Sequence, residues 1–163
     1  MARREIVTKT ILSKTKKFHS DVVEIKDDSV SKVLGCWLLN PVLRYEKRSD
    51  DAIIVSGTYD INLWVACANH TTTKCIIQTQ DFAHTVIMDA GDEEVIGDVI
   101  AFAKWLSKPI CTKADCSDGC LYLTIEQELQ LEWIGETKLR VELVEDELDH
   151  IIDHQVDTQY LLK

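Results

Sequence analysis

Ile53-Ile54-Val55-Ser56-Gly57-Thr58-Tyr59-Asp60-Ile61-Asn62-Leu63-Trp64-Val65-Ala66-Cys67 alternates strictly between two kinds of residue. The odd positions are Ile53, Val55, Gly57, Tyr59, Ile61, Leu63, Val65 and Cys67, whereas the even ones include Ser56, Thr58, Asp60 and Asn62. Side chains alternate between the two faces of a strand, so this spacing predicts a long strand with one buried face. Trp64 is the exception on the polar phase, which predicts a second packed layer or a subunit contact there.

Outward from this strand, β signals dominate. The polar run Asn69-His70-Thr71-Thr72-Thr73 reads as a turn, and Lys74 to Met88 as the returning hairpin partner, with Gln78, Phe82, Val86 and Met88 on one phase. Arg4 to Phe18 reads as a first strand and Val33 to Leu39 as a second, both on β-branched and apolar content. Further on, Leu121, Leu123, Ile125, Leu129, Leu131 and Trp133 alternate with Tyr122, Thr124, Glu126, Glu128, Gln130 and Glu132. Leu139, Val141 and Leu143 repeat the pattern, and Gly135-Glu136 between the two runs predicts a tight connection, so 121–134 and 137–144 are expected to pair.

Two segments read as helix. Over 92–107, Val95, Ile96, Val99, Phe102, Ala103 and Leu106 recur at helical spacing, with Asp92 as a cap and Pro109 as a stop. From about Glu145 to Tyr160, Leu148, Ile151, Ile152 and Val156 share one side of an otherwise acidic stretch. The expected architecture is therefore mainly β: a β-sandwich or partly open barrel of two β segments bridged by the 92–107 helix. Residues 1–144 form this body and 145–163 an acidic C-terminal helix or tail.

The chain has 163 residues, enough for one core, and 45% of them are hydrophobic. Its 28 acidic and 18 basic residues give a formal charge of -10, which opposes attraction to nucleic acid or anionic lipid. No apolar run approaches the ~20 residues a membrane-spanning helix needs, and Met1-Ala2-Arg3-Arg4-Glu5 does not lead into a signal-peptide core. Synthesis and retention inside a cell are expected, and neither nucleic acid nor membrane insertion. Charge is also segregated. Arg3, Arg4, Lys9, Lys14, Lys16 and Lys17 stand near the start, and Glu142, Glu145, Asp146, Glu147, Asp149, Asp153 and Asp157 near the end. Such ends read as solvated surface or as complementary ends that steer copies or partners together.

The six cysteines are Cys36, Cys67, Cys75, Cys111, Cys116 and Cys120. The first three fall on predicted strands and read as reduced core thiols. Cys111, Cys116 and Cys120 share a segment of Lys, Asp, Ser and Gly that reads as a polar loop, where thiols are open to exchange. They are candidate crosslinking thiols after assembly. The paired short knuckles of a zinc site are missing, as are a phosphate loop, a GxSxG elbow and an HExxH helix. The five histidines are scattered, and His150 and His154 read as decoration of the last helix. No catalytic residue, metal ligand or cofactor is expected.

Four blocks carry a family resemblance. They are Arg4-Glu5-Ile6-Val7-Thr8-Lys9; Leu34-Gly35-Cys36-Trp37 with Asn40; Gly57-Thr58-Tyr59-Asp60-Ile61-Asn62-Leu63-Trp64; and Gly135-Glu136-Thr137-Lys138. In this order they resemble the outer spore coat morphogenetic protein CotE family of endospore-forming bacteria. The resemblance implies a non-enzymatic scaffold made in the mother-cell cytoplasm and deposited in the spore coat. It implies self-association, attachment to a coat basement-layer protein and recruitment of outer coat proteins, with the C-terminal segment of Glu145, Asp146, Glu147, Asp149 and Asp153 as the candidate partner-binding part. The signature residues Gly35, Cys36, Trp37, Gly57, Tyr59, Asp60, Asn62, Trp64, Gly135, Glu136 and Thr137 read mostly as structural, since large rings favour packed sites and glycines relieve strain. A reading of another class is a soluble β-domain that binds a small ligand or a metal through the cysteine-rich loop.

Overall fold

In the computed structural model, residues 2–89 and 95–143 are described. They form six strands: β1 Ala2–Lys26, β2 Val30–Ser49, β3 Ala52–Cys67, β4 Thr72–Ile87, β5 Val95–Ser117 and β6 Cys120–Leu143. The strands make two three-stranded sheets, ordered β1-β6-β5 and β2-β3-β4. The chain divides into two compact units, one of residues 1–10, 92–99 and 135–163 and one of residues 11–91 and 100–134.

The larger unit is a sandwich whose inner faces share one core. Val23 and Ile25 of β1 and Leu121, Leu123 and Ile125 of β6 pack in one cluster with Tyr59, Ile61, Leu63 and Val65 of β3 and Phe82 of β4. The buried residues of β3 are those of the odd phase, as the alternation requires. In the smaller unit, the described residues are ends of β1, β5 and β6, and Gly135 and Thr137 are buried.

Besides slips near its two ends, at Ser31 and Arg48, the β2–β3 ladder is interrupted within Val33 to Lys47 at Leu34 and again at Asn40-Pro41. Each interruption adds residues to β2 and changes which parity faces inward. Val33 lies opposite Val65, Cys36 opposite Leu63, Leu38 opposite Ile61 and Leu43 opposite Gly57, so the inward set passes from odd to even and back. At the second bulge Asn40 adopts a left-handed φ of 52°. The bulge drives the Val42 carbonyl over Gly57: a Cβ built there would sit 1.8 Å from that oxygen and 2.9 Å from the Phe82 ring. Only hydrogen fits at residue 57, and the Phe82 ring occupies the rest of the space.

Three expectations are corrected. Residues 95–107 are not a helix but the first half of β5. Gly97 has a φ of 75°, and beyond it Val99, Ala101, Ala103 and Trp105 are the more buried positions while Ile100, Lys104 and Leu106 are exposed. A left-handed glycine near the start breaks the strand's phase, so a two-residue period looked like a helical one. Runs 121–134 and 137–144 do not pair with each other. β6 passes through Gly135-Glu136 unbroken, and its neighbours are β1 and β5. Cys111 to Cys120 is not a loop. Cys111 and Cys116 lie on β5, Cys120 opens β6, and Asp118 and Gly119, with φ of 51° and 77°, form the two-residue turn between them. Two successive positive φ values are what a type I′ hairpin demands, and Asp-Gly supplies them. The proposed helix over 145–160 lies outside the described residues.

Gly57→Ala is expected to destabilise the fold by about 3 kcal/mol, since either the β2 bulge or Phe82 must move. Gly97→Ala, where a Cβ meets nothing, is expected to lose only about 1 kcal/mol from its left-handed backbone. Urea unfolding of the two variants measures the contrast, and equal losses would refute the clash at Gly57.

Candidate functional site

The β2-β3-β4 sheet carries most of the signature residues, and pairing sorts them onto its two faces. Tyr59 is buried, and burial pushes its hydroxyl up to about 12, with the Asp21 carboxylate and the Cys111 and Cys36 thiols adding to the effect. On the outer face the register sets rows across the sheet: Gly35, Trp64 and Cys75; then Trp37, Asn62 and Ile77; then Leu39, Asp60 and Thr79.

Asp60 fastens this face. Its Oδ2 accepts from Asn40 Nδ2 at 3.0 Å and its Oδ1 from Thr79 Oγ1 at 2.7 Å, so one carboxylate joins β2, β3 and β4. The two hydrogen bonds hold its carboxyl below the usual range. Asn40 thereby gains a reason for its left-handed backbone, and both residues are structural. Around them the surface is apolar. Trp37 is 56% exposed, Trp64 48% and Ile77 71%, while the Trp37 ring lies against Gly35, where an added Cβ would come within 2.7 Å of it. Trp37 was expected to be packed away, but the Leu34 bulge turns it outward. Trp64 stands on the outer face, as its phase required. An exposed apolar group of this kind marks a surface for protein contact.

The cysteines do not converge on one place. Cys67 is buried, Cys75 is exposed on the outer face, and Cys36, Cys111, Cys116 and Cys120 are half-buried. Cys116 Sγ donates to the Val30 carbonyl at 3.4 Å, and Cys111 Sγ to the Lys113 carbonyl at 3.4 Å. Cys120 is raised by partial desolvation and by the Glu24 carboxylate. Among the described residues, no group of three or more His, Cys, Asp or Glu is placed to hold a metal. Gly135 and Thr137 are buried and Glu136 is exposed on β6. Glu145, Asp146, Glu147, Asp149 and Asp153 lie outside the described residues.

One cluster had no signal in the sequence. His19 and Asp21 of β1 meet His84 of β4: the imidazoles stack at 3.9 Å with 7° between planes, and His84 Nε2 lies 3.0 Å from Asp21 Oδ2. His19 Nε2 is buried without a hydrogen-bond partner. Partners 63 residues apart along the chain leave no local pattern to read. The remaining cross-link of note is at the β1–β2 turn, where Asp27 accepts from Ser29 and from Lys74 Nζ at 2.7 Å, which lowers its carboxyl to about 2.

Among the described residues, two bulged antiparallel sheets carry an exposed apolar face suited to contact with other proteins. The outer spore coat protein E (CotE) family model matches residues 2–161. The chain belongs to that family, a family of structural spore coat proteins, which places its role in the spore coat among other coat proteins. No curated protein and no solved structure matches it.

Burial chiefly, and then the facing His84, lower the pKa of His19 from 6.5, with Lys17 adding slightly and Asp21 opposing. The unfolded chain therefore binds this proton more readily than the folded one. Stability is expected to fall as pH drops from about 6.5 toward the lowered folded value. His19→Leu is expected to flatten that part of the profile; an unchanged urea midpoint profile between pH 7.5 and 5 would refute it.

Proposed function

We propose that the protein is a non-enzymatic morphogenetic scaffold of the spore coat, which self-associates and recruits outer coat proteins around the forming spore. The observation that carries this reading is the openness of both sheets. Among the described residues β1, β5, β2 and β4 are all edge strands, of 25, 23, 20 and 16 residues. Long edges offer rows of backbone donors and acceptors, which most proteins shield and which assembling proteins use for strand addition.

Charge supports the same reading. Arg3, Arg4, Lys9, Lys14, Lys16 and Lys17 are all exposed on the edge strand β1, and the acidic segment with Glu145, Asp146, Glu147, Asp149 and Asp153 supplies the opposite sign. We assign that segment to partner binding, either a second copy or a coat protein such as that of the basement layer. The exposed face of Trp37, Trp64 and Ile77 serves client contact, and Cys116 and Cys120 serve covalent links between subunits in the mature coat. The mother-cell cytoplasm is the place of synthesis in this reading. Binding of a small ligand or metal through the cysteine segment has nothing in its support, since that segment is a β-hairpin.

Light scattering coupled to size-exclusion chromatography is expected to show an oligomer or polymer that survives reductant. Amide exchange should then show protection on β1, β2, β4 or β5 that rises with protein concentration. A monomer at high concentration in both buffers overturns the scaffold.

A further inference from the structure

The two sheets of the larger unit meet along β2 and β5, and two contacts fix how these strands lie. Cys116 Sγ reaches the Val30 carbonyl near one end, and Tyr45 packs edge-on against Phe102, 5.7 Å between ring centroids, near the other. As β2 advances from Val30 to Tyr45, β5 therefore recedes from Cys116 to Phe102. This antiparallel overlay brings Cys36 opposite Cys111. Both side chains pack on the same core cluster, and both line one open cleft of about 200 Å³ with Val33, Gly35 and Thr112.

We propose that Cys36 and Cys111 form an intrachain disulfide that joins the β2 edge of one sheet to the β5 edge of the other. Facing sheets of a sandwich accept such a bond, as the inter-sheet disulfide of immunoglobulin domains shows. In the reduced protein burial, and then the neighbouring Cys111 thiol, push Cys36 up to about 12. Cys36 is therefore protonated at neutral pH and is not the first thiol to react.

The oxidant required is a low-molecular-weight disulfide. Cys111, as thiolate, attacks one of its sulfurs and expels a small thiolate, which takes a proton from water. Cys36 then gives its proton to solvent and attacks Cys111 Sγ, forming the Cys36–Cys111 bond and releasing the second small thiol. Two protein thiols lose two electrons, and one small disulfide becomes two thiols. This assignment removes Cys111 from the thiols available between subunits, while exposed Cys75 and hairpin Cys116 and Cys120 retain theirs.

The test is incubation of the folded full chain with oxidised glutathione, followed by alkylation, non-reducing digestion and mass spectrometry. Equal parts of normal and nitrogen-15-labelled chains are mixed beforehand. The expected product is a Cys36–Cys111 linked peptide in which both halves carry the same isotope, together with a higher urea midpoint that dithiothreitol reverses. Cys111→Ser should abolish the linked peptide and leave Cys36 alkylated only after unfolding. Cys36 alkylated as a free thiol in the oxidised wild-type chain overturns the proposal, as does Cys111 linked in mixed-isotope peptides. Neither readout on the wild-type chain depends on a variant folding.

Discussion

The Val42 carbonyl above Gly57 is the contact on which the rest of the β2-β3-β4 sheet depends. Two residues of bulge at Asn40-Pro41 bring that oxygen to a place where any side chain at residue 57 would collide with it. The same bulge carries Asn40 to the outer face, where it meets Asp60, and Asp60 in turn holds Thr79 on β4. Phe82 fills the inner side of the gap that glycine leaves and stacks beside Tyr59. Gly57, Tyr59 and Asp60 of one signature block and Asn40 of another thus answer to a single backbone distortion rather than to four separate roles.

How much could be read from the sequence follows from where such distortions fall. β3 has none of its own, so its alternation gave the buried face correctly from Ile53 to Cys67. β4 was legible as its hairpin partner because Phe82, Val86 and Met88 keep one phase. β2 is bulged at Leu34 and again at Asn40-Pro41, on either side of Trp37, and its inward parity changes there, so the packed site that residue type alone suggests for Trp37 gives way to an exposed one. In β5 the left-handed Gly97 produced a false helical period. Only the density of β-branched residues in 95–100 argued for a strand. The cysteine segment held a readable signal, Asp118-Gly119 flanked by strand residues, but its polar composition outweighed the turn chemistry. The pairing of His19 with His84 and of Cys36 with Cys111 depends on how one sheet overlies the other, which no local pattern encodes.

The chain belongs to a spore coat family, and its described residues are built almost wholly of strands. Among the described residues each sheet ends in two long edge strands, which carry rows of backbone donors and acceptors outside the ladders. In the scaffold reading proposed above, such edges are means of contact rather than hazards of aggregation. Six basic side chains exposed on β1 work against indiscriminate edge pairing.

The order β1-β6-β5 places the first described strand beside the last described one. During synthesis the β2-β3-β4 meander has all its partners within about sixty residues and closes early, because short loops cost little entropy. β1 has no neighbour in its own sheet until β6 has left the ribosome. The growing chain therefore carries a 25-residue strand with both edges unpaired for most of its synthesis.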